Sequence, residues 1–249
     1  MYRIIMNLDF YLENRNGTIC LFIGMVLAMA VFVFLVGPVH NLVKAKVVKL
    51  CGDDWVEEAG YFSLNPANSF HWIGAFSVLL VFMGFTKRVR YRKRYLDRPF
   101  LGAVMISVSG ILTYFLCFLF FAFLVSLLGS VNSYGMTNPS VMPETELPFW
   151  GCVFHAVFLA VFFLTRICLY SAFFNLIPLA PMDMGELLFA FIGKHWSEQI
   201  KKNEMLISVG LFLLAFLSLG LPNSFIVQTS LDIITFFQNG FSFIINIFI

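Results

Sequence analysis

The stretch LVGPVHNLVKAKVVKLCGDD, residues 35–54, begins inside a long apolar run and ends on acids, with a single histidine, His40, just before the first lysines. Upstream of it, Ile19 to Val39 contains no charged side chain. That run is long enough to cross the hydrocarbon core of a bilayer, which takes about 20 apolar residues. Ala28-Met29-Ala30 has the small-residue pattern of a signal-peptide cleavage site, but the apolar run continues past it and a long polar segment precedes it. The segment reads as a retained anchor.

The same character extends over the whole chain. Of 249 residues, 60% are apolar and 12% are charged, against about a quarter charged in soluble domains. A soluble protein is excluded, and an integral membrane protein is implied. Further spans are expected at Phe100 to Val131, Phe149 to Thr165 and Met205 to Leu221, with a shorter one at Phe70 to Phe85. Phe225 to Ile249 is interrupted by Gln228, Asp232, Gln238 and Gly240, and reads as a sixth helix, tilted or partly interfacial. The expectation is an all-α polytopic membrane protein of five to six transmembrane helices, with a short β-like segment after the first helix. It forms one membrane domain, 1–249, with no soluble module appended.

Charge sets the expected topology. Seven of the sixteen basic residues lie in one loop, Lys87, Arg88, Arg90, Arg92, Lys93, Arg94 and Arg98, facing one acid, Asp97. The positive-inside rule makes this loop cytoplasmic. Counting spans outward from it puts the N-terminus inside and residues 42–68 and 132–148 outside, the latter with Glu144 and Glu146 but no Lys or Arg. The basic loop has two readings: a topology determinant, or contact with anionic lipid or nucleic acid. The first is preferred, so the lipid bilayer is an expected partner and nucleic acid is not. Five scattered cysteines form no C-x-x-C pair and imply neither a disulfide frame nor a zinc knuckle. The 32 phenylalanines read as lipid-facing and interhelical packing.

Two polar stretches stand out. One is Gly52-Asp53 followed by Ala59-Gly60-Tyr61-Phe62-Ser63-Leu64-Asn65-Pro66; the other is Asn175-Leu176-Ile177-Pro178-Leu179-Ala180-Pro181-Met182-Asp183-Met184-Gly185. In the second, two prolines interrupt a membrane helix. Non-helical backbone at that depth needs a protein or water environment to satisfy it, and an acid there, Asp183, is a functional candidate.

Taken in order, these stretches resemble the site-2 protease family of intramembrane zinc metalloproteases, in its compact bacterial form. That family carries H-E-x-x-H on its first core helix, then a Gly-Asp pair, a segment like A-G-R-L-T-L-N-P, and later N-L-L-P-I-P-P-L-D-G. Thr86-Lys87-Arg88-Val89 and Ser109-Gly110 are weaker echoes. The resemblance covers about 31–188, leaving extra C-terminal helices at about 204–249, and implies a bacterial cytoplasmic membrane.

Laid on this chain, the family motif puts Val36 on the first histidine, Gly37 on the glutamate and His40 on the second histidine. The motif works because histidines four residues apart share a helix face and hold zinc while the glutamate polarises water. By the resemblance, His40 and Asp183 are remnant metal positions, one ligand short of the usual three, and Gly37 supplies no general base. His71, His155 and Glu186 are the candidates to complete a site. Pro38 should kink or end the helix before His40.

The expectation is a proteolytically inactive relative, with no cofactor, that acts as a binding or scaffold subunit of a membrane complex or as the regulator of a membrane client. The alternative is an unorthodox zinc-dependent intramembrane protease that cleaves single-span substrates with His40, Asp183 and a third ligand.

Overall fold

A computed structural model describes residues 15–131, 149–192, 194–220 and 225–248; the loop at 132–148, with Glu144 and Glu146, and the N-terminus lie outside them. The described residues are helical throughout their regular structure, and no strand forms among them. The first apolar run is α1 (Arg15–Val31), a π-helical turn (Phe32–Val36) and α2 (Gly37–Leu50) in unbroken succession. Pro38 therefore does not end the helix. Proline lacks an N–H and crowds the carbonyl four residues back; here the turn before it widens, and the Gly37 N–H bonds to the Phe32 carbonyl five residues back. A π-turn absorbs the misfit, and His40 lies well inside α2.

Three helical stretches among the described residues are long and apolar enough to cross a membrane: Thr18–Leu50, Pro99–Leu128 and Cys152–Asn175. They belong to α1–α2, to α6 (Pro99–Val131) and to α7 (Phe149–Asn175). α7 packs against both α1 and α6, around a core that includes Ala28, Phe32, Tyr114, Phe118, Leu159 and Ile167. α11 (Phe225–Phe248) lies on α6, with Ile234 fully buried and Phe237 edge-on to Phe118 at 5.6 Å.

The segment expected as β-like instead holds two helical turns, α3 (Trp55–Glu58) and α4 (Pro66–Ser69). Asn65 caps α4, accepting from the Ala67 N–H at 3.0 Å, as asparagine does at a helix start.

Phe70 to Phe85 does not cross either. Its helix, α5 (Trp72–Val81), has 10 residues, about 15 Å of rise against a hydrocarbon core of roughly 30 Å. Phe82, at φ 51°, ends it, and the chain returns without helix through Met83–Lys87. Gly84 N–H donates to Ser171 Oγ at 2.9 Å, and Lys87 N–H to the Ser69 carbonyl at 2.9 Å. The result is a re-entrant turn whose two ends meet.

Residues 42–68 and the basic loop consequently share one end of the molecule, rather than opposite faces as expected. Asp97 N–H donates to the Cys51 carbonyl at 2.9 Å. Asp53, 2% exposed, accepts from Arg92 N–H at 2.6 Å and from Trp55 N–H at 3.2 Å. Gly52, at φ 112°, makes the turn that aims this aspartate, a conformation open to glycine and strained for other residues. At the other end of the first helix, Cys20 Sγ lies 3.7 Å from the Cys152 carbonyl, near the start of α7.

Candidate functional site

The buried face of α2 is made of Gly37, Pro38, His40, Asn41, Lys44, Ala45 and Val48. Three of these are polar or charged, so the helix turns its hydrogen-bonding groups inward. Residues four apart stack on one helix face, which brings His40 and Lys44 together, and the loop after α7 meets them. Asp183 Oδ2 lies 2.9 Å from His40 Nε2, and Asp183 Oδ1 lies 2.6 Å from Lys44 Nζ. The three side chains are all nearly inaccessible to solvent, at 2–3%.

Several elements hold this cluster. Asn175, the last residue of α7, accepts the Asp183 N–H on Oδ1 at 3.0 Å and donates to the Ser171 carbonyl at 2.7 Å. The Asn–Asp pair at the two ends of the proline-rich stretch is therefore a structural clamp. From the re-entrant turn, Thr86 Oγ1 lies 3.1 Å from His40 Nδ1 and donates to Asn41 Oδ1 at 3.0 Å. Asn41 Nδ2 donates to the Lys87 carbonyl at 3.0 Å. Tyr114, on α6, is fully buried and stacks on His40 at 4.3 Å. One turn earlier, Gly110 gives the carboxylate its space: a Cβ there would lie 2.2 Å from Asp183 Oδ2.

The electrostatics follow from this packing. Burial disfavours a lone carboxylate, and the Lys44 ammonium 2.6 Å from Asp183 supplies the opposite charge that favours its ionised form. An ionised carboxylate only accepts hydrogen bonds, and His40 Nε2 faces it at 2.9 Å. Both Asp183 oxygens are engaged, and an ammonium stands among the donor atoms. A dication placed there would meet the Lys44 charge at close range in a poorly screened interior. The donor set does not fit zinc. Among the described residues no group of three or more His, Cys, Asp or Glu side chains is placed to hold a metal ion.

Of the residues singled out from sequence, His40 and Asp183 come together. Val36 is packed in the apolar core and Gly37 lies against Thr86 Cγ2, where a Cβ would be 3.2 Å away. His71 caps α5, accepting from the Gly74 N–H at 3.3 Å. Glu186 turns to Arg88, at 3.2 Å, and to the Tyr91 hydroxyl, at 3.1 Å. His155 is buried on α7, about 30 Å of helix rise from Asn175. None of the three reaches His40. Lys44, Asn41 and Tyr114 are the members that sequence reading missed, while Thr86 and Asn175 stood in the motif stretches without a role of their own; the signal for Lys44 was its four-residue spacing from His40.

Over 145 residues the chain is 27% identical to the "Putative zinc metalloprotease YwhC" of Bacillus subtilis (strain 168). The match takes in 58% of this chain and 59% of that relative, so the chain spans under two thirds of the length of the curated protein it matches. That name agrees with the metalloprotease resemblance read from the sequence. No family model and no solved structure matches.

Proposed function

We propose that this is a proteolytically inactive, site-2-protease-like membrane protein in which Lys44 supplies the positive charge that a catalytic metal would bring. The observation that carries this reading is the His40–Asp183–Lys44 cluster, with its 2.6 Å contact between ammonium and carboxylate. It moves the motif frame by four residues: His40 takes the first histidine position, Asn41 the glutamate and Lys44 the second histidine. In this frame the general base is an amide, which cannot take up a proton, and a metal ligand is a cation. The scaffold around the site stays closed by the Lys44–Asp183 ion pair where metal would have closed it. The cofactor reading is accordingly no zinc.

What such a scaffold does is bind. The re-entrant turn at α5 and the loop held by the Asn175–Asp183 clamp, where Leu176 and Leu179 are exposed, would form a fixed surface for a membrane-protein partner or client, making this chain a subunit or regulator of a membrane complex. The positive-inside rule assigns residues 87–98 to the cytoplasm. Because residues 51–69 share that end, the start of α1 then lies on the opposite side, in place of the cytoplasmic N-terminus expected from span counting. α10 (Glu204–Gly220) and α11 accompany the three long helices as additional membrane-embedded segments.

The relative's name favours the second reading, an unorthodox zinc-dependent intramembrane protease, and one experiment separates the two. A single-span substrate is co-expressed with the wild-type chain and with Asp183→Asn. Equal, background-level cleavage in both supports the inactive reading; substrate cut by the wild type and left whole by the variant supports the protease. Cross-linking in native membranes should give a discrete adduct of higher mass, whereas a lone monomer speaks against a subunit role.

A further inference from the structure

A second polar region lies apart from the His40 site. A cavity of about 770 Å³ opens between the start of α5, the basic loop, α8 (Met184–Phe191), the end of α9 (Lys194–Lys202) and the start of α10. This is within the range of small-molecule sites, about 300–1,000 Å³. Its wall carries six cations, Lys87, Arg88, Arg90, Lys93, Lys201 and Lys202, and two acids, Glu186 and Glu204.

Both acids are already engaged by one guanidinium: Arg88 Nε lies 3.2 Å from Glu186 Oε1 and Arg88 Nη2 lies 3.1 Å from Glu204 Oε2. Arg88 Nη1 is buried with no hydrogen-bond partner. Three of the cations also gather over one ring, with Arg88, Lys93 and Lys201 at 5.2, 5.8 and 5.0 Å from the centroid of Phe189. Lys87, Arg90 and Lys202 form no ion pair among the described residues. The crowding shows in the titration of neighbours: burial and then Lys201 push Lys93 down, and burial and then Lys87 push His71 down.

Six cations against two acids on one wall leave an excess of positive charge facing one space, which an anion relieves. The rim adds apolar surface: Phe70, Trp72 and Met205 are exposed at the mouth. We propose that this cavity binds a phosphate-bearing anion, with the headgroup phosphate of an anionic lipid as the source that the apolar rim favours. The arrangement is that of a headgroup among lysines and an arginine, which pair readily with phosphate oxygens, with the acyl region against Phe70 and Trp72. The proposal does not depend on the state of the His40 site.

The full chain in detergent is titrated with short-chain phosphatidylglycerol, short-chain phosphatidylcholine and inorganic phosphate, with binding followed by calorimetry. Saturable binding of phosphatidylglycerol, at least tenfold tighter than phosphatidylcholine, is expected. It should weaken at least tenfold in Lys87→Gln/Lys201→Gln/Lys202→Gln, and stay within twofold in Arg94→Gln/Arg98→Gln, which removes the same kind of charge from the basic loop outside the cavity. If inorganic phosphate binds as tightly as the lipid and depends on the same lysines, the site is a soluble-phosphate site and the chemistry stands. No saturable binding, or equal weakening in both variants, overturns the proposal. The exposed glutamines should leave the thermal midpoint unchanged.

Discussion

Lys44 Nζ and Asp183 Oδ1 lie 2.6 Å apart, joining positions 139 residues distant in the chain, with both side chains 3% exposed. In so dry a setting each charge depends on the other, because removing one partner strands the second without water to solvate it. Lys44→Met should therefore destabilise the protein by about 3–5 kcal/mol, read as a loss in detergent unfolding. Lys44→Met combined with Asp183→Asn should cost less than the sum of the two single changes. Additive losses would show that the contact is not an energetic pair.

Gly110 faces the same carboxylate from α6. A methyl group there meets Asp183 Oδ2 at 2.2 Å, closer than any van der Waals contact, and overpacking a close-packed interior typically costs about 1–3 kcal/mol. Gly110→Ala should lie at the upper end of that range, because Asp183 can yield only by giving up Lys44 or His40. Gly210→Ala, where a Cβ meets nothing within 4 Å, is the control and should be neutral or mildly stabilising. Equal stability of the two variants would contradict the close approach of α6 to the site.

The shared end of residues 51–69 and 87–98 gives an accessibility test. Glu58→Cys and Arg94→Cys, both at exposed positions, should react with a membrane-impermeant maleimide from the same side of sealed vesicles. Under the proposed orientation that side is the cytoplasmic one. Labelling of the two positions from opposite sides would restore α5 as a crossing helix and undo the re-entrant turn.

Much of the scaffold was legible in the sequence because apolar run length is a local property. The anchor at Ile19 to Val39, the long α6 and the proline-interrupted end of α7 needed no partner to be recognised. α5 was misread for the same reason: its run is apolar, but Phe82 turns left-handed and the chain doubles back, which only packing against Phe32 and Ser171 decides. At the site, His40 and Asp183 stood out as unusual residue types in a membrane segment. Lys44 did not, because a lysine just past an apolar run ordinarily marks the interface, and only the continuation of α2 through Pro38 turns it inward. Gly110 and Tyr114 act through close approach and stacking, which spacing along one helix does not encode.

The central claim, that an ammonium stands in place of a metal, is tested most directly by elemental analysis of zinc in the purified full chain and in Asn41→Glu/Lys44→His. The double change gives α2 two histidines four apart with a glutamate between them, and with Asp183 it provides the three protein ligands that catalytic zinc usually takes. The account predicts zinc well below one equivalent in the wild type and near one equivalent in the double variant, lost again on adding Asp183→Asn. Equimolar zinc in the wild type, removed by His40→Ala, would contradict it.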